Sequence, residues 1–407
     1  MLKLVQDFKD ARAQRHYTFD APLTANFPFT WYKSMRAEAP VYYDASLEAW
    51  SIFLYEDVQR ITSDYTTFSS QFSESESTPE NIETRLLTRT DPPLHRQLRA
   101  LISQVFTPRR IATLEPMVIS QINKVLAPVL AKGEMDLMDD VAYPIPVNVI
   151  STMLGVPAAD QAYLKPLIDE ALAQRGDTLR PGAGGPLPSA QIVYDYFRQL
   201  CRERRRSPQQ DLISDLAQAE LDGEHLSETD LILFCRILYN AGFVTTTNLI
   251  GNTFLCLSMF PEAEQQVRAD PTLIPGLIEE VLRYSSSVQS VTRLVTRDVE
   301  LRGQQLHAGD NVIVYTGSAN HDERAYPDPD AFDITRPTNK HFSFGHGIHF
   351  CIGAPLARLE APLALRLMLE QMQDIRIVPG VKLEPMSERS LYGVKHLPIT
   401  FTPVREA

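Results

Sequence analysis

Cys351 lies in HFSFGHGIHFCIGAPLARLEA, residues 341–361, where a glycine-rich stretch runs into the helix-forming segment Ala354 to Leu369. A single cysteine in that setting is placed to become an accessible, electron-rich thiolate. Gly345, Gly347 and Gly353 permit tight turns and close approach of backbone to a flat ligand. The partial positive charge at the start of the following helix favours the ionised sulfur. Such a sulfur is a metal ligand. Zinc and iron–sulfur sites need several Cys or His ligands at short spacing, whereas Cys201, Cys235 and Cys256 are scattered singly through helical-looking sequence. One thiolate alone fits haem.

The run Phe344-Gly345-His346-Gly347-Ile348-His349-Phe350-Cys351-Ile352-Gly353 closely resembles the haem-binding signature of the cytochrome P450 family. That resemblance implies haem b, held by Cys351 as the proximal iron ligand, with Phe344 packed beside the porphyrin and His349 meeting a propionate. Glu280 and Arg283, in EEVLRY, lie three apart on one helical face and can pair. They match the family's ExxR pair, and Arg336 in YPDPDAFDITRP is the third member that the resemblance implies, giving a buried charge cluster that supports the cysteine loop. His95 and Arg99 in TDPPLHRQLR lie four apart, and Arg293 stands in SVTRLVTRDVE. With His349 they match the family's propionate contacts, and cationic donors are what a carboxylate needs.

The family's oxygen-activating motif, on its long central helix, departs here from pattern. The segment reads Ala241-Gly242-Phe243-Val244-Thr245-Thr246-Thr247. Gly242 and Thr245 match, but Val244 stands where an acid is expected, so Thr245 is the oxygen-site residue that the resemblance implies, without the usual acidic partner. By position the pocket is expected from Phe68, Phe72, Phe243, Val244, Val288, Val291, Leu391 and Tyr392. Such an apolar lining implies a lipophilic substrate.

These residues have to be positioned by a mainly α-helical α+β fold with small sheets at one side. Helical patterns are read at Thr30–Glu38, Leu94–Val105, Pro108–Leu130, Val147–Leu154, Ala159–Gln174, Ser227–Phe260, Pro261–Ala269 and Pro275–Tyr284. Ser227–Phe260 opens with a capping sequence and is apolar around much of its circumference, which marks a buried helix. Strands are read at Val41–Asp44, Trp50–Leu54, Val291–Val295, Val299–Leu301, Asn311–Tyr315, Ile375–Val378 and Leu397–Phe401. Thr66 to Arg89 and Arg175 to Gln191 read as irregular stretches, the second a plain connection or a substrate lid.

The 407 residues are expected to form one domain, 1–407, since no Pro/Gly/Ser linker divides them. No run approaches the ~18 apolar residues of a membrane span, and the first twenty residues lack a signal peptide's apolar centre. The expectation is therefore a cytoplasmic protein. Few, scattered cysteines agree with a reducing compartment, and the net charge of -12 argues against nucleic acid. The leading reading is a haem-thiolate monooxygenase fed by a separate ferredoxin or flavodoxin with its reductase. Basic residues near the thiolate, Arg109, Arg110, Lys340 and Arg358, would meet an acidic carrier. Val244 suggests an alternative, a peroxygenase or an isomerase or dehydratase that bypasses oxygen protonation, and a non-catalytic haem sensor is the reading from a different class.

Overall fold

Two N-terminal segments and a segment from the last third of the chain meet in one sheet. In a computed structural model, which describes residues 17–18, 28–71, 85–174, 188–221, 223–337, 340–386 and 390–404, that sheet has five strands. They are β1 (Val41–Asp44), β2 (Ala49–Ile52), β3 (Phe68–Ser69), β4 (Val291–Val295) and β5 (Asn311–Val314), in the order β1-β2-β5-β4-β3. β2 runs parallel to β5 with Trp50 opposite Val312, while β4 is antiparallel to β5 and to β3, Arg293 facing Val312 and Val295 facing Phe68. β-Branched residues dominate β4 and β5, as a pleated, half-buried surface favours. A second sheet joins Met372–Ile377, Pro398–Pro403 and Glu134–Asp136.

Helices build the rest. Those that concern the site are α1 (Leu94–Val105), α2 (Pro144–Leu154), α3 (Pro188–Arg206), α4 (Glu228–Met259), α5 (Ile274–Tyr284) and α6 (Ala354–Gln371). The 32-residue α4 starts where Ser227 Oγ accepts the Asp230 N–H at 3.0 Å and stops before Pro261. It packs against α2, α3, α5 and α6, so side chains around most of its circumference, among them Leu231, Phe234, Leu238, Leu249 and Phe254, are buried in one helical core. Among the described residues no single helix is long and apolar enough to cross a membrane.

Several expected elements shift. The run Pro108–Leu130 is two helices, Pro108–Ala112 and Glu115–Leu130, because Pro116 has no N–H to continue a ladder and instead sits in the first turn of the second. A helix at Tyr55–Ser63 was not anticipated, and the stretch after Thr66 contains β3. Residues 72–84 and 175–187, which hold most of the two irregular stretches, lie outside the described residues, and α3 begins at Pro188.

Candidate active site

Cys351 is set by a tight loop between Phe342 and α6. Its N–H donates to the Phe344 carbonyl at 2.8 Å, and Gly345 and Gly347 take φ of +71° and +67°. At Gly347 only glycine is tolerated twice over, since a Cβ would also come within 2.6 Å of the Thr62 carbonyl on the helix Tyr55–Ser63. Gly353 has an ordinary φ of -79°, and its place beside the sulfur matters for another reason. Burial pushes the Cys351 thiol up, while the backbone N–H groups of Gly353 and Ala354 and the charges of Arg99 and Arg358 pull it down. The side chain is nonetheless exposed by surface area. A sulfur both reachable and dominated by desolvation faces a cleft inside the protein rather than bulk solvent.

Behind the loop, Arg358 stacks its guanidinium 4.6 Å from the Phe344 ring centroid and binds Glu279 through two hydrogen bonds of 2.6 and 2.9 Å. Burial pushes Glu279 up, but Arg358 and His341 outweigh it and hold the carboxyl at about 2. Phe344 is therefore fixed on its outer face by a cation that is itself fixed.

The loop is tied to α5 through a chain of polar contacts. Glu280 and Arg283, both 0% exposed, pair at 2.6 and 2.9 Å, and Arg336 Nε adds 3.3 Å to the same Glu280 oxygen. Arg283 also donates to the carbonyls of Asn320, Pro329 and Ala331. Asn320 in turn accepts the Phe342 N–H at 2.7 Å and donates to Ser343 Oγ at 3.0 Å, at the entrance to the cysteine loop. The Glu280, Arg283 and Arg336 cluster expected from sequence is thus assembled, and the link through Asn320 was not foreseen.

His95, Arg99, Arg293 and His349 converge on one side of Cys351. The His95 and His349 rings lie 4.4 Å apart, Arg99 Nη2 donates to the Phe350 carbonyl at 2.7 Å, and the charges of Arg99 and Arg293 both act on His349. Burial lowers His95 to about 4 and Arg293 to about 10, and it lowers His349 and Arg99 as well. The Nε2 atoms of His95 and His349 are buried without a hydrogen-bond partner, and Arg293 donates to the Thr292 carbonyl at 2.8 Å. Desolvated cations and orphaned imidazole nitrogens are costly unless an acceptor meets them.

Asp91 belongs to this cluster and was missed. It accepts from Ser69 Oγ and the Ser70 N–H at the end of β3, and its Oδ1 lies 3.7 Å from His349 Nε2, beyond hydrogen-bond reach. The signal was available, an acid beside the basic residues of TDPPLHRQLR.

On α4, half-buried Val244 and Thr245 share a face with exposed Ala241, at the i, i+3, i+4 spacing of one stripe. Thr245 Oγ1 donates to the Ala241 carbonyl at 3.0 Å, and Ser287 Oγ donates to the Thr245 carbonyl at 2.9 Å. Val288 and Leu391 form a bridge, and with Val291 and Val244 they are half-buried. Gly242 turns elsewhere, where a Cβ would meet Ile150 of α2 at 3.5 Å. Phe243 does too, 1% exposed between the rings of Tyr143 and Tyr239 at 5.3 and 6.3 Å, because a step of ~100° per residue carries it off the stripe. Phe68 is 0% exposed in the core under the sheet, a cluster apart from that of α4, while Tyr392 is buried in the same core as α4. Phe72 lies outside the described residues.

The donor set suits haem b. A thiol facing a cleft beside backbone N–H groups that favour its ionised form is a ligand for iron, and the desolvated arginines and partnerless imidazole nitrogens are complementary to two carboxylates. The cytochrome P450 family model matches residues 187–402. Cytochrome P450 109 of Bacillus spizizenii is 39% identical over 381 residues, covering 92% of each chain. The cyclomarin C epoxidase CymV of Salinispora arenicola is 39% identical over 91% of this chain and 95% of its own. Among solved structures, CYP109E1 from Bacillus megaterium in complex with testosterone superposes with a TM-score of 0.82 at 36% identity, over 92% of this chain and 99% of that one. A family model over more than half of the chain, and relatives of this identity along nearly all of it, mean that the chain belongs to the cytochrome P450 family, as a haem-thiolate monooxygenase carrying haem b.

Proposed function

We propose that Cys351 is the proximal iron ligand, that His95, Arg99, Arg293 and His349 hold the haem carboxylates, and that Thr245 borders the oxygen site on the other face. The observation that carries this reading is the convergence of one cleft-facing thiol with two desolvated arginines and two buried imidazole nitrogens that lack a partner. Bound haem supplies the activation of dioxygen by two electrons. The chain's own residues bind it, exclude water and steer protons. Val244, Val288, Val291 and Leu391 offer an apolar lining, which supports a lipophilic substrate. The whole chain acts as one cytoplasmic domain, with electrons from a separate ferredoxin or flavodoxin and its reductase. Of the four basic residues expected to meet an acidic carrier, Arg110 is already tied to Asp215 and Arg358 to Glu279, while Arg109 and Lys340 are exposed. The test is the spectrum of the reduced protein with carbon monoxide. It is expected to show the red-shifted Soret band of thiolate-bound haem, and Cys351→Ser to lose it; an unchanged band in the variant would overturn the assignment.

Val244 favours a second reading, in which added hydrogen peroxide serves as oxidant. A positioned acid–base group typically contributes ~10²–10⁴-fold to a proton-dependent step, and valine has none to give. On this second reading, coupling of reductant to product is low with substrates lacking ionisable groups, hydrogen peroxide is released, and Val244→Glu or Val244→Asp raises coupling. The ratio of product to reduced nicotinamide consumed decides. Near-complete coupling in the parent and no gain in either variant would show that another group supplies the protons.

A further inference from the structure

Asn248 lies three residues after Thr245 and four after Val244, on the same stripe of α4. Its side chain is 1% exposed, and neither its Oδ1 nor its Nδ2 has a hydrogen-bond partner among the described residues. Gly393 faces it so closely that a Cβ there would stand 2.5 Å from Asn248 Oδ1. The next turn repeats the pattern: Asn252 Nδ2 donates to the carbonyls of Ser285 and Tyr392 at 2.9 and 3.2 Å, while its Oδ1 is left over, as is Thr247 Oγ1. Alongside runs the buried segment Ser285 to Ser287, whose last hydroxyl reaches the Thr245 carbonyl.

A buried amide with all its hydrogen-bonding capacity unspent is unfavourable, and leucine would fill the space without that cost. Buried water, with two to four polar partners, is how proteins meet such groups. We propose that Asn248 is a positioning residue for proton delivery: it anchors a water beside Thr245 that does the work Val244 cannot. Asn248 itself neither gains nor loses a proton. The water passes one toward the oxygen site past the Thr245 hydroxyl, and takes one back from the next hydrogen-bonded group in the seam, ultimately solvent, so the two protons consumed per turnover are replaced in full. The proposal rests on the reading that Thr245 borders the oxygen site.

The experiment compares holoenzyme carrying Asn248→Leu, Asn248→Asp or Thr245→Ala with the parent. A high-resolution crystal structure of the parent is expected to show a water within ~3.2 Å of the Asn248 amide, and that of Asn248→Leu to lack it. Coupling should fall by about tenfold in Asn248→Leu, with matching hydrogen peroxide and a larger solvent isotope effect, while the Soret shift on substrate binding is unchanged. Coupling within about twofold of the parent in haem-loaded Asn248→Leu, or no water at the parent amide, overturns the proposal. If Thr245→Ala lowers coupling and Asn248→Leu does not, only this inference fails; if neither changes it, the reading of Thr245 fails with it. Should Asn248→Leu not hold haem, Asn248→Asp decides: a carboxyl there is expected to change the coupling and its isotope effect, and no change in either overturns the assignment.

Discussion

Glu280→Ala and Arg283→Ala are each expected to cost about 3–5 kcal/mol of stability and to yield protein that retains little haem. The large figure follows from what each deletion strands. Without Glu280, the guanidinium of Arg283, 0% exposed, and that of Arg336 face each other across a buried space with no counter-charge, and the Asp333 N–H loses its acceptor. Without Arg283, the carbonyls of Asn320, Pro329 and Ala331 lose their shared donor, and the Asn320 contacts to Phe342 and Ser343 lose their support. Loss of haem follows because those contacts hold the entrance to the Cys351 loop. Arg283→Lys keeps the charge but cannot reproduce the planar fork, so it should recover only part of the stability. Thermal unfolding and haem content per chain measure both effects. Parent-like values in the two alanine variants would reduce the cluster to a passive ion pair.

Glu360→Gln is expected to stabilise the protein increasingly as pH rises. Glu360 lies in α6, 1% exposed, with Oε2 unpartnered, and burial pushes its carboxyl up to about 8. An unfolded glutamate titrates near ~4.3. Between those values the native state holds a proton that the unfolded state has lost, so the contribution of Glu360 to stability is fully present below the lower value, is eroded as pH rises, and is gone above the upper. Across that window the loss is on the order of 3–5 kcal/mol. Glutamine has nothing to lose. The difference in melting temperature between variant and parent holoenzyme should therefore climb from pH 5 to pH 8 and then level off. Other titrating groups are common to both proteins and cancel. Parallel curves over that range would mean that Glu360 is ionised or hydrogen-bonded in the folded state.

The site was legible where its chemistry forced residue types at fixed spacing. Cys351 with its glycines could be named because a thiolate loop leaves local marks, whereas Glu280 with Arg283 stood out only through the family resemblance, since same-face ion pairs are common on solvated helices, and the boundaries of α1 and β4 fell where the pattern put them. What local spacing could not supply was direction. Along α4 apolar residues fall on every flank, so periodicity cannot say which flank meets the cleft, and Phe243 was assigned to the pocket when it packs on Tyr239. Phe68 failed for a related reason: a two-residue strand has no period, and its partner Val295 is over two hundred residues away. Asp91 and Asn248 were overlooked although both are polar residues in conspicuous places. Their meaning depends on what surrounds them in space, an imidazole in one case and nothing to bond with in the other.

The parallel pairing of β2 with β5 carries a consequence for the order of events during folding. Strands from residues 41–69 can complete their sheet only with residues 291–314, so the chain has to be some three-quarters made before that sheet closes. Closing so wide a loop is entropically slow, and helices with nearer neighbours form sooner. Arg293 sits in β4 within that late sheet, and Asp91 is anchored to the end of β3, whereas Cys351 lies later still in the chain. On the proposed assignment Arg293, which would hold a haem carboxylate, and Cys351, which would bind the iron, thus come into register only late in synthesis. A half-made chain offers haem no complete grip, so capture of the cofactor is a final step of assembly.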